Sequence, residues 1–140
     1  MLHGDISNQT APMLYVDLDE LVTLQEVPPH SLWGRILPFR KKEYRYDPAK
    51  LAFILKVVHR TDMNVVFVSK DKHFANYMMN RQNFFKVFGS IRLSVRVTYM
   101  TPEVLELVLS TRCGYFVSDS YGLIDTPYIY SYDEIRKLIF

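Results

Sequence analysis

Met13-Leu14-Tyr15-Val16-Asp17-Leu18-Asp19 is the stretch on which the reading of this chain turns. A short apolar run containing Tyr and Val reads as a buried strand, and it ends abruptly in two acids. The same arrangement returns twice. Asn64-Val65-Val66-Phe67-Val68 runs into Ser69-Lys70-Asp71, and Gly114-Tyr115-Phe116-Val117 runs into Ser118-Asp119-Ser120. Three apolar strands with polar ends set the frame, and the segments between them decide how they are connected.

Asp47-Pro48 is an N-cap followed by Pro at the first helical position. The helix it opens carries Leu51, Ile54, Leu55 and Val58 on one face. A second helix is expected from Lys72 to Phe88, with Phe74, Tyr77, Met78, Phe85 and Phe88 on its inner side and Gly89 as a left-handed cap. Residues 91–99 alternate apolar with polar, which marks a strand with one wet face at a sheet edge. Thr101-Pro102-Glu103 opens a third helix to about Thr111. Tyr128-Ile129-Tyr130 is a short last strand. Ser131 and Glu134 form a capping box for a helix to Ile139. Residues 20–46 hold Pro28, Pro29, Gly34 and Pro38 and fit a hairpin or extended flap. Residues 1–12 read as a loose leader. Strands alternating with helices imply right-handed crossovers and a mainly parallel, Rossmann-like sheet in an α/β domain over residues 13–140.

The composition agrees. A chain of 140 residues with 49% hydrophobic and 23% charged residues makes one core-forming domain, neither disordered nor collagen-like. The single Cys113 forms no internal bridge and suggests a reducing, cytoplasmic setting. A net charge of +2 does not by itself indicate nucleic acid. No apolar run reaches the roughly 18–20 residues of a membrane span.

Open parallel sheets bind ligands beyond the carboxyl ends of their strands. Asp17 and Asp19 stand at one such end, and two carboxylates that close repel unless a cation lies between them. A hard divalent ion such as Mg2+ would resolve the conflict, leaving one acid as nucleophile and the other as acid and base. Asp119 would add a ligand, and Ser69 a hydrogen bond to phosphate. Taken singly, each residue also reads as a solvated turn, a helix cap or a loop acid.

Leu14-Tyr15-Val16-Asp17-Leu18-Asp19 resembles the first motif of the haloacid dehalogenase-like phosphohydrolases. Val65 to Ser69 is similar to their second motif, and Tyr115 to Ser120 to the strand and acid of their fourth. The resemblance spans residues 13–139 and implies a three-layer domain with strand order 5-4-1-2-3, a flap and no cap domain. It implies Asp17 as nucleophile, Asp19 as general acid and base, Ser69 as phosphate ligand, and Mg2+ held by Asp17, Asp119 and the main-chain carbonyl of Asp19. The family's third-motif Lys has no counterpart between Lys86 and Asp119. Arg96 is the nearest cation on the preceding strand, and Lys70 is another candidate for the phosphate. The second fourth-motif acid falls on Leu123 or Ile124, with Asp125 one step late.

Two functions follow. One is a Mg2+-dependent phosphatase acting through an aspartyl-phosphate. The alternative is a catalytically weak or inactive domain of the same fold that holds a phosphorylated or protein partner. The flap bears on both. Arg40, Lys41, Lys42 and Tyr44 lie in a segment of interleaved cations and rings, which suggests a nucleotide or a nucleic-acid end. The plainer reading is a solvated basic hairpin whose rings pack on the body. An uncapped cleft would admit bulky substrates, or be closed by a second subunit of a homo-oligomer.

Overall fold

The computed structural model describes residues 13–27, 41–91, 93–111, 114–120 and 129–140. The apolar run that opens the argument forms β1 (Met13–Asp17), followed at once by a single helical turn, α1 (Leu18–Leu21). Next come β2 (Val22–Glu26), β3 (Lys42–Tyr46), α2 (Pro48–Thr61), β4 (Asn64–Ser69), α3 (Lys72–Met79), α4 (Arg81–Phe88), β5 (Val95–Tyr99), α5 (Pro102–Thr111), β6 (Gly114–Val117), β7 (Ile129–Tyr130) and α6 (Tyr132–Ile139). Five strands make a parallel sheet in the order β5-β4-β1-β6-β7, flanked by helices in a Rossmann-like α/β arrangement. β2 and β3 form a separate antiparallel pair, with Val22 opposite Tyr46 and Glu26 opposite Lys42. The leader, Arg40, Cys113, Leu123, Ile124 and Asp125 lie outside the described residues.

β1 is central and apolar on both sides, as strands covered on two faces must be. Leu14 and Val16 pack with Phe67, Ile54, Phe88 and Ile135 on one face. Tyr15 packs with Val66, Val68, Phe116, Leu105 and Leu109 on the other, where α5 lies. Registers Asp17↔Val68 and Val16↔Val117 bring Asp17, Ser69 and Ser118 to one rim.

Three local expectations are corrected. The helix expected from Lys72 to Phe88 is two helices. Asn80 adopts an extended conformation, and its Oδ1 accepts from the Gln82 and Asn83 N–H groups at 2.9 and 3.2 Å, capping α4. An Asn side chain that satisfies the backbone locally competes with a continuing helix. The break turns Phe84 and Phe88 inward and leaves Phe85 61% exposed. Gly89 has φ 67° but ψ −154°, which is not the left-handed helical cap. That conformation is essentially open to glycine alone. On α2 the fully buried residues are Leu51, Phe53, Ile54 and Val57, while Leu55 and Val58 pack at the margin. The caps at Asp47 and Ser131 form as expected, the latter as a complete capping box.

Candidate functional site

The rim of the sheet gathers Asp17, Asp19, Glu20, Ser69, Ser118 and Asp119, joined by Lys50 from the first turn of α2. Asp17 is 3% exposed. One carboxylate oxygen accepts from the Asp19 N–H at 3.1 Å, which caps α1, and the other accepts from the Ser118 hydroxyl at 2.7 Å. Burial pushes the Asp17 carboxyl above its ordinary value, and the charges of Asp19 and Glu20 push the same way; the Ser118 hydrogen bond opposes them.

Asp19 reaches across to the end of β4. Its Oδ1 accepts from the Ser69 hydroxyl at 2.6 Å and its Oδ2 from the Lys70 N–H at 2.9 Å. Ser69, fully buried, also exchanges hydrogen bonds with the main chain of Asp71. The acid and hydroxyl assigned to a phosphate therefore meet each other.

Asp119 is held by the element that follows it. Its Oδ1 accepts from the Tyr132 N–H at 3.1 Å, in the first turn of α6, and its Oδ2 lies 3.8 Å from Lys50 Nζ. A carboxylate there favours the positive end of a helix.

Glu20 and Lys50 are the residues that sequence reasoning missed. The Glu20 side chain is 9% exposed and meets Lys50 Nζ at 2.6 Å. It also accepts from the Ser120 hydroxyl at 2.7 Å and from the N–H groups of Asp119 and Ser120 at 2.9 and 2.8 Å, and it lies 3.1 Å from the Ser118 hydroxyl, whose one proton it shares with Asp17. Burial alone would raise its carboxyl, but Lys50, Ser120 and the Asp119 N–H outweigh it and hold the group down to about 2. The available signal was a third acid next to the Asp pair, facing a Ser-Asp-Ser turn rich in donors.

The structure does not bring Arg96 to the rim, and Lys70 meets it through its main chain. Register places Arg96 beside Val66 on the edge strand β5, in line with Tyr15 and two positions short of Asp17, with β4 between them. Lys70 reaches Asp19 through its main chain. Lys41, Lys42 and Tyr44 stand on or next to β3; Tyr44 packs against Phe74 and Tyr77 with ring centroids at 5.0 and 5.1 Å.

A divalent cation needs several oxygens free to converge on it. Here the carboxylates of Asp17, Asp19 and Asp119 point to three different sets of donors in the chain. Among the described residues, no group of three or more His, Cys, Asp or Glu side chains is placed to hold a metal ion. As they stand, these side chains do not fit Mg2+, and no chemical step is derived through it.

Tyr132 lies under this rim. Lys50 Nζ sits 5.3 Å from its ring centroid, and Phe53 meets the ring edge-on at 5.5 Å. Its buried hydroxyl has no hydrogen-bond partner among the described residues. Burial and the charges of Glu20, Asp119 and Asp17 keep that hydroxyl protonated well above its ordinary range. Removing an unsatisfied buried hydroxyl while keeping the ring should raise stability, so Tyr132→Phe is expected to gain about 1 kcal/mol in urea unfolding. A loss of that size would mean that the hydroxyl has a partner in solution.

Compared with known proteins, the chain matches no family model, no curated protein and no solved structure. Among the described residues, no helix is long and apolar enough to cross a membrane.

Proposed function

We propose that this chain is a haloacid dehalogenase-like domain that binds a phosphate-bearing ligand without hydrolysing it. One observation carries the reading: Asp17, Asp19 and Asp119 are each engaged by donors of the chain itself. A nucleophilic carboxylate should be ionised and open to a phosphorus atom. Asp17 is buried, biased toward its neutral form and bonded to Ser118. The charges of Asp19 and Glu20 add to that bias.

The strand arrangement supports the family part of the proposal. The main sheet runs β5-β4-β1-β6-β7 with β1 at its centre, which we read as the 5-4-1-2-3 order of that family. The flap cations support the ligand class, since ammonium groups attract phosphate. A cytoplasmic setting and a second subunit over the uncapped rim belong to the same proposal.

The test combines turnover with stability. With an aryl phosphate and Mg2+, the protein is expected to hydrolyse no more than Asp17→Asn or a chelator-treated sample. Turnover that needs Mg2+ and disappears in Asp17→Asn would establish the phosphatase instead. Stability gives a second readout. Because the folded-state carboxyl of Asp17 is raised above 3.8, its favourable contribution is complete below that pH and is lost as pH rises through the folded value. Asn does not titrate. The stability of Asp17→Asn relative to wild type should therefore climb from pH 4 to pH 8, measured by urea unfolding at each pH. A flat difference would mean that Asp17 is not biased toward its neutral form.

A further inference from the structure

Beside the β2–β3 hairpin lies a groove of about 460 Å³ that contains none of the rim acids. Leu24, Lys42 and Tyr44 line one side of it, and Tyr77, Lys86 and Val87 line the other. Its size falls within the roughly 300–1,000 Å³ of small-molecule sites.

Strand periodicity explains its character. Side chains two apart share a face. Lys42 and Tyr44 therefore share a face of β3, and Tyr44 reaches Phe74 and Tyr77 on α3. Glu43 and Arg45 alternate with them. Glu43 is the only carboxylate among the described lining residues, and it is already matched by Lys41 at 3.5 Å and Arg45 at 3.9 Å. Among the described residues, neither Lys42 nor Lys86 has a carboxylate within 4.0 Å. Among the described residues, three lysines against the paired Glu43 and Glu26, which stands opposite Lys42 on β2, leave the groove net positive. Its other components are two tyrosine rings, one apolar side chain 52% exposed at Leu24, and Val87 beneath.

We infer that this groove binds a nucleotide, free or as the terminal unit of a strand, with its phosphate on Lys42 and Lys86 and its base against Leu24 and Tyr77. The inference rests on the chain being a binder of phosphate-bearing ligands. Inorganic phosphate would use the two ammonium groups and leave the apolar wall bare. A nucleotide uses both, since every base has a face that packs on an aromatic or aliphatic surface. The charges are exposed, so the attraction must weaken with salt.

The experiment measures binding of AMP, of a 5′-phosphorylated six-residue DNA strand and of inorganic phosphate to the intact chain by calorimetry. Wild type should bind AMP or the strand more tightly than phosphate, and more tightly at 50 mM than at 200 mM salt. Stronger binding of the strand identifies a strand end; equal binding identifies the nucleotide unit alone. Lys42→Ala combined with Lys86→Ala should weaken binding about tenfold or more, and Tyr77→Ala should weaken AMP more than phosphate. Lys56→Ala, on α2 against Phe140, is the control and should change nothing. Unchanged affinity in the double variant, or no nucleotide binding by a wild-type protein that unfolds cooperatively, overturns the inference. Mg2+-dependent hydrolysis together with binding that still depends on Lys42 and Lys86 would reject the non-hydrolytic reading and leave the groove assignment standing.

Discussion

Glu20→Ala is expected to destabilise the fold by about 2–3 kcal/mol, because it removes charge-assisted hydrogen bonds from a half-buried network. Glu20 joins three parts of the chain that are distant in sequence: α1, the first turn of α2 through Lys50, and the turn 118–120 after β6. Alanine leaves the Lys50 ammonium, 22% exposed, with Asp119 at 3.8 Å as its remaining carboxylate partner among the described residues. It also frees the N–H groups of Asp119 and Ser120. Lys50→Met in the same chain should recover part of the loss, because it removes a charge that has lost its nearest partner and keeps the aliphatic stem against Tyr132. The four corners of this double-mutant cycle, measured by urea unfolding, isolate the pair. Additive losses would show that Glu20 acts only through the turn.

The same carboxylate fixes an acid limit. Its folded-state value near 2 lies below its ordinary 4.5, so its contribution is complete above 4.5 and disappears as pH falls toward 2. Wild type should lose stability steeply there, and Glu20→Ala should show a shallower dependence.

The second large effect is expected at Phe88. Its ring stacks on Tyr46 of the flap at 5.5 Å and meets Phe67 of β4 at 5.5 Å and Phe84 at 4.8 Å. Truncation of a core Phe to Ala ordinarily costs about 3–5 kcal/mol through lost transfer energy and the cavity left behind. Phe88→Ala should fall in that range by chemical denaturation. Because Phe88 lies between flap and sheet, the variant should also lose hydrogen-exchange protection in β2 and β3 beyond that lost in β1 and β4. Equal losses in both regions would mean that the flap is anchored elsewhere.

Much of the frame was legible because it rests on local patterns. Continuous apolar runs marked β1, β4 and β6, and Asp47-Pro48 and Ser131 with Glu134 marked two helix starts. What escaped depended on side chains competing for the backbone or meeting across the fold. Asn80 carries no pattern that separates a cap from an exposed polar position inside a helix, yet its hydrogen bonds divide that helix. Ser69 and Asp19 are correctly placed at neighbouring strand ends by the sequence, but pattern does not say whether they face a ligand or each other. Glu20 finds Lys50 only once α2 has packed, thirty residues away in the chain.

The position of β1 also governs the order in which the chain can assemble. Its neighbours β4 and β6 follow it about 50 and about 100 residues later in the chain. During synthesis this central, apolar strand waits, with both hydrogen-bonding edges open, until nearly the whole domain has been made. Long-range parallel pairing of this kind folds slowly and leaves sticky intermediates. Yield on expression should therefore depend on temperature and chaperone supply more than on the stability of the finished fold.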